Sequence, residues 1–262
     1  MSLRNALNGV FAIYKPTGWT SRDAINYVQN SLSKQLRGDS TKRIRDRDKL
    51  KIGHGGTLDP LAEGVLTLGV GSGCKQLHGL LQCSKEYEVQ AKLGYATDTY
   101  DSEGQVTHKS SGATMSPSQS QVLSVLDQFR GQIQQVPPIY SAISIQGKRA
   151  YDYARQGIPL PKPIEPRTVD IHELELLDYY TKDDDTSMRL KVRCGGGTYM
   201  RSLVHDIGIE LGCYGHMTGL LRTEQGGFTL DDCLTIIDAN GNRCISLEDV
   251  IAAIGRRKNG HA

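Results

Sequence analysis

The sequence predicts an α+β domain built on a largely antiparallel sheet, with flanking helices. Three observations carry this. Residues 86–93 and 188–194 alternate apolar and polar side chains, the two-residue period of strands with one buried face. Helical stripes with their own capping signals lie among such strands without a regular βαβ alternation. No internal repeat and no clear linker divides the chain, so residues 1–262 read as a single domain, long enough to bury a substantial core.

The elements follow in order. Residues 9–14 form a short apolar strand that ends at Lys15-Pro16. Thr20 with Asp23 three residues later makes a capping box, Asp standing in for the usual Glu, and Ala24, Ile25, Val28 and Leu32 supply a helical stripe behind it. A basic segment at about 33–51 lacks periodicity and reads as an inserted loop. From Lys34 to Lys51 it holds eight basic residues against three acids, a local excess of +5 in a chain whose net charge is only +2. Such a run suits contact with phosphates. Residues 65–70 read as a buried strand. In 86–93, Tyr87, Val89, Ala91 and Leu93 face one way and the charged and amide residues the other. Ser116-Pro117-Ser118-Gln119 gives a capping box with proline at the first helical position, opening a helix that ends near Gly131. Four prolines within 158–166 make an extended connector. The 188–194 strand runs through Gly195-Gly196-Gly197 to Thr198, a candidate N-cap. Met200, Leu203, Val204, Ile207 and Leu211 then keep helical spacing up to Gly212. Ser246 and Asp249 open a last short helix closed by Gly255.

Several function classes are excluded. No apolar run approaches the roughly 20 residues that span a bilayer, and residues 1–10 lack a secretory apolar region. The six cysteines show no CxxC pair and no zinc-like spacing, which points to reduced thiols and an intracellular compartment. In Gly69-Val70-Gly71-Ser72-Gly73-Cys74-Lys75 the lysine does not follow a glycine and no Ser or Thr follows it, so this is not a phosphate loop. No GxSxG elbow is present, and Glu63 is the only local partner for a two-carboxylate glycosidase centred on Asp59. No metal and no cofactor are implied.

The segment with most chemical content is Gly53-His54-Gly55-Gly56-Thr57-Leu58-Asp59-Pro60-Leu61-Ala62. Its glycines permit close backbone approach, and Pro60 holds Asp59 in an extended conformation that limits where the carboxylate points. By local physics alone Asp59 suits a turn. An aimed acid next to a basic run equally suits chemistry on a polyanion.

This segment resembles the catalytic motif of the TruB-type pseudouridine synthases, in their eukaryotic branch. Lys15-Pro16 with Gly18 and Thr20-Ser21, Lys85-Glu86-Tyr87 through Leu93-Gly94, and Cys194 through Leu203 resemble three further motifs of that family, in the same order. Pro137 through Ala142 and Tyr151 through Gly157 also fit, so the likeness spans about residues 9–230. The resemblance implies the pseudouridine synthase fold with a central RNA-binding cleft, and isomerisation of the T-loop uridine at tRNA position 55, with T-loop-like hairpins in mRNA as further substrates. It implies Asp59 as the catalytic aspartate, Tyr87 stacked on the target base, and Arg201 paired with Asp59. His54 and Tyr199 would touch or shape the pocket of the flipped nucleotide, Leu220 would pack against it, and Lys15 would support the site. It also implies tRNA as partner, a monomer, and work in the nucleus, mitochondrion or cytoplasm. Bacterial relatives carry a C-terminal PUA domain, whereas only about thirty residues follow Leu230 here. The expectation is that Lys42, Arg43, Arg45 and Arg47 supply part of the grip on the RNA backbone. The competing reading is a tRNA-folding chaperone whose main role needs no catalysis.

Overall fold

The computed structural model describes residues 3–38, 45, 48–111, 116–182, 185–238, 241–242 and 244–260. In chain order they form α1 (Leu3–Ala6), β1 (Gly9–Lys15), α2 (Ser21–Arg37), β2 (Ile52–His54), β3 (Ala62–Val70), α3 (Leu77–Gln82) and β4 (Lys85–Leu93). Next come β5 (Tyr95–Thr97), β6 (Val106–Lys109), α4 (Gln119–Gln128), β7 (Gly131–Gln135), β8 (Ser144–Ile145), β9 (Lys148–Arg149) and α5 (Ala150–Arg155). The chain continues through β10 (Arg167–Lys182), β11 (Asp185–Cys194), α6 (Met200–Glu210), β12 (Gly215–Gln225), β13 (Phe228–Thr229), β14 (Cys233–Thr235) and α7 (Leu247–Gly260). No helix among the described residues is long and apolar enough to cross a membrane.

The chain divides into two compact units, Met1–Glu86 with Leu221–Ala262, and Tyr87–Leu220. Each is mostly antiparallel with flanking helices, as the α+β class requires. In the first unit β1 pairs antiparallel with β3, in register Ile13↔Leu66, and parallel with β14, in register Ile13↔Leu234. Short β2 adds to β3, and β13 folds back on the end of β12. The sheet buries Phe11, Ile13, Leu66 and Leu68, and Ile25, Leu32 and Ile254 are buried on α2 and α7. The glycines of 69–75 serve packing. A Cβ on Gly73 would lie 2.0 Å from the carbonyl oxygen of Gly9, so only glycine admits the 3-10 turn over Gly71–Gln76.

In the second unit the strand order is β12-β4-β11-β10-β7. The alternation in β4 is realised as expected, with Tyr87, Val89, Ala91 and Leu93 buried. Strand β10, sixteen residues long, pairs with β11 through two register shifts and with β7 at its start. β5–β6 and β8–β9 form two small separate sheets.

Some boundaries differ from expectation for local reasons. Helix α2 runs to Arg37, so Lys34 and Arg37 of the basic segment are helical. The cap of α4 is Ser118, which exchanges hydrogen bonds with Gln121, while Ser116 bonds Thr186 instead. The N-cap of α6 is Tyr199, and the Thr198 hydroxyl donates back to the carbonyl of Gly195. Helix α7 continues through Gly255 to Gly260 because its stripe of Val250 and Ile254 is buried along the turn that leads into that glycine.

Candidate active site

In the first unit the segment carrying Asp59 is fastened from α2, from the turn that precedes it and from β12. Ser21, the first residue of α2, accepts the N–H of Leu58 at 2.8 Å and donates to the carbonyl of Leu58 at 3.0 Å, gripping the residue before Asp59 by both backbone groups. The Pro60 carbonyl accepts the Gly18 N–H at 2.8 Å. From β12, fully buried Arg222 donates to the carbonyls of Val65 at 2.7 Å and Gly56 at 3.2 Å, and buried Gln225 donates to the carbonyl of Gly55 at 2.6 Å. Gly55 must be glycine, since a Cβ there would stand 2.5 Å from Thr67 Oγ1 and 2.8 Å from Leu80 Cβ. Leu58 is buried as an anchor, whereas Asp59 itself stays half-exposed. A carboxylate whose backbone is held on both sides is pre-oriented, and little reorganisation is needed when it reacts.

The surrounding groups set its electrostatics. Lys15, fully buried at the end of β1, donates to the carbonyls of Pro16 at 2.9 Å and Trp19 at 2.6 Å. Burial pulls its ammonium down to about 8, and the carboxylates of Asp59 and Glu63 pull the other way. Glu63 is also held, accepting from Thr17 Oγ1 at 3.2 Å. Burial and then a hydrogen bond with Glu63 push the Tyr14 phenol up to about 12. His54 accepts the Gly56 N–H at Nδ1, 3.3 Å away, which leaves Nε2 to carry the hydrogen of the neutral ring. Burial, then the charges of Arg22 and Arg222, lower its pKa, so the ring is neutral at pH 7.

In the second unit, Arg201 sits on the first turn of α6 and is 5% exposed. Its guanidinium donates to the carbonyls of Thr99 at 3.0 Å and Tyr140 at 2.9 Å, and Nε lies 3.8 Å from the carboxylate of buried Asp101. Asp101 is held in turn by Thr99 Oγ1 at 2.6 Å and by the Glu103 N–H at 3.1 Å. Such a network fixes the plane of the guanidinium and compensates the buried charge. Tyr199 is fixed at its backbone by both ends of the buried Gln135 amide, at 2.8 and 3.1 Å, and Arg167 lies over its ring 5.6 Å from the centroid. Tyr87 is buried at the start of β4, and Leu220 is half-buried on β12.

The first unit thus carries Lys15, His54, Asp59 and Glu63, with Lys15 close enough to feel both carboxylates, and the second carries Tyr87, Tyr199, Arg201 and Leu220. Of the four basic residues, Lys42, Arg43 and Arg47 lie outside the described residues, and exposed Arg45 pairs with Asp48 at 3.1 Å. Among the described residues no group of three or more His, Cys, Asp or Glu is arranged to hold a metal ion. Sequence reasoning gave no individual role to Ser21, Asp101, Arg222 or Gln225. Asp98-Thr99-Tyr100-Asp101 looks like an acidic turn, and only the pairing with Arg201, a hundred residues on in the chain, gives Asp101 its role.

Comparison with known proteins places these motifs. The model of the TruB family pseudouridylate synthase (N terminal domain) matches residues 42–200, and that of the tRNA pseudouridylate synthase B C-terminal domain matches residues 201–260. The chain is 41% identical over 235 residues to tRNA pseudouridine synthase B of Bacillus licheniformis, covering 89% of this chain and 70% of that protein. It is 42% identical over 229 residues to pseudouridylate synthase TRUB1 of Homo sapiens, covering 87% of this chain and 63% of that one. Among solved structures, a chain of a Cbf5-Nop10-Gar1 complex matches with a TM-score of 0.64 at 26% identity, over 97% of this chain and 61% of its own length.

Proposed function

Since this chain belongs to the TruB family of pseudouridylate synthases, we propose that it is a tRNA pseudouridine synthase whose target is the T-loop uridine. The observation that carries the reading is the fastening of Asp59: Ser21, Gly18, Arg222 and Gln225 hold the backbone on both sides of one half-exposed carboxylate. A residue that only closed a turn would not need two buried polar side chains from β12 behind its loop.

The uridine leaves its stack at a cost of a few kcal/mol, offset by contacts in the pocket. Tyr87 stacks on the extruded base, a contact of roughly 1–3 kcal/mol. Asp59 then either attacks C1′ as a nucleophile or removes the C2′ proton, and the N1–C1′ bond breaks. The uracil turns and a C5–C1′ bond forms, which breaks the Asp59–C1′ bond of the first route or is accompanied by return of the proton from Asp59 to C2′ in the second. The C5 proton then leaves and N1 gains one. Atoms and oxidation state balance, so the step draws on no oxidant and no nucleotide energy. The resemblance implies Arg201 as the partner of Asp59, keeping its carboxylate ionised, and that role is part of the proposal. His54 and Tyr199 touch or shape the nucleotide pocket, Leu220 packs against the nucleotide, and Lys15 supports the site.

In the same reading the basic residues Lys42, Arg43, Arg45 and Arg47 grip RNA phosphates. The enzyme acts as a monomer inside the cell, and mRNA hairpins that copy the T-loop are further substrates. A T-arm transcript incubated with wild type and with Asp59→Asn tests the central point, with pseudouridine and binding measured separately. Binding without product from either protein would favour a chaperone, and released free uracil would indicate a glycosylase.

A further inference from the structure

Helix α6 presents His205 one turn after Arg201, on the same face. The imidazole lies flat on the ring of Tyr100, with centroids 3.8 Å apart and planes 7° from parallel. Tyr100 belongs to the turn between β5 and β6, and its backbone is left-handed, with φ of 64°. A bulky residue in that region is strained and persists only where its surroundings hold it. Here the Tyr100 N–H donates to the Thr97 carbonyl at 3.3 Å, its own carbonyl accepts the Met217 N–H at 3.0 Å, and the stack holds the ring. The two residues flanking Tyr100 both grip Arg201, alongside the Tyr140 carbonyl: Thr99 through its carbonyl and Asp101 through its carboxylate.

Resting on the synthase reading above, we propose that the Tyr100–His205 stack positions Arg201. It clamps the 98–102 turn to the helix that carries Arg201, so that carbonyl and carboxylate meet the guanidinium in one orientation. The clamp is closed on itself: the helix bears both the gripped cation and the imidazole, and the turn bears both the grip and the phenol. Tyr100 and His205 are positioning residues, acting on the reaction through Arg201 alone.

The test measures single-turnover pseudouridine formation on a T-arm transcript at saturating enzyme, with Kd for the same RNA measured separately. Tyr100→Ser and His205→Ala are each expected to slow the step about tenfold, the effect of a catalytic group displaced by a fraction of an ångström, with Kd within about twofold of wild type. Tyr100→Phe, which keeps the stacking face, should restore most of the rate. In an Asp101→Asn background, Tyr100→Ser should add little, because both act through the same guanidinium. Rates equal to wild type in Tyr100→Ser and His205→Ala, with only the melting temperature lowered, would overturn the inference and leave the stack a structural contact. Full additivity with Asp101→Asn would overturn it too. No product from wild type would instead sink the synthase reading on which it rests.

Discussion

Asp206 follows His205 on α6, and burial raises its carboxyl to about 6, well above the ordinary carboxylate range. The folded chain therefore holds a proton there that the unfolded chain has released between roughly pH 4 and 6. That contribution to stability is fully present below the unfolded pKa and is lost as pH rises through the folded one. Asp206→Asn should accordingly raise the melting temperature at pH 7.5 and change it little at pH 3.5, which thermal unfolding at the two pH values will show. A loss at both would mean that the carboxylate has a native partner worth more than its desolvation. Arg222 is the converse case, a fully buried cation that donates to the Val65 and Gly56 carbonyls. Arg222→Ala strands those buried acceptors and opens a cavity, at a cost of about 3 kcal/mol in urea unfolding.

At the scale of elements, what was readable in the sequence was what depends on neighbours along the chain. The Thr20–Asp23 capping box, the inward face of β4 and the stripe of α6 are set by residues two to four apart, and each stands where the spacing put it. Caps that compete with a nearby partner were not readable. Ser116 and Ser118 are equally good caps in sequence, and Ser116 is drawn to Thr186, which is seventy positions away. The long strand β10 escaped because its burial is irregular, interrupted by register shifts against β11. The partners that bury Arg201, namely Thr99, Tyr140 and Asp101, lie about sixty to a hundred residues before it and no local spacing points to them. The basic segment is an element-scale prediction as well. Reversing the charge of Lys42, Arg43, Arg45 and Arg47 together should weaken tRNA binding. It should also flatten the dependence of log Kd on log salt by about one for each phosphate that is no longer neutralised. Unchanged binding across a salt series would remove these residues from the RNA surface.

For the whole molecule, the division into two compact units had no counterpart in composition, because the chain passes between them near Tyr87 in β4 and Leu220 in β12 and not through a linker. The residues for which the sequence implied one function, Asp59 with Lys15 and His54, and Arg201 with Tyr87 and Tyr199, divide between the units accordingly. Their far-apart motifs were legible through family resemblance alone, since nothing in local spacing ties residue 59 to residue 201. The most direct measurement is pseudouridine formation by Asp59→Asn on a T-arm transcript. The account predicts a loss of at least about a thousandfold relative to wild type, with the melting temperature unchanged and RNA binding largely retained. Product from the mutant at the wild-type rate would contradict it.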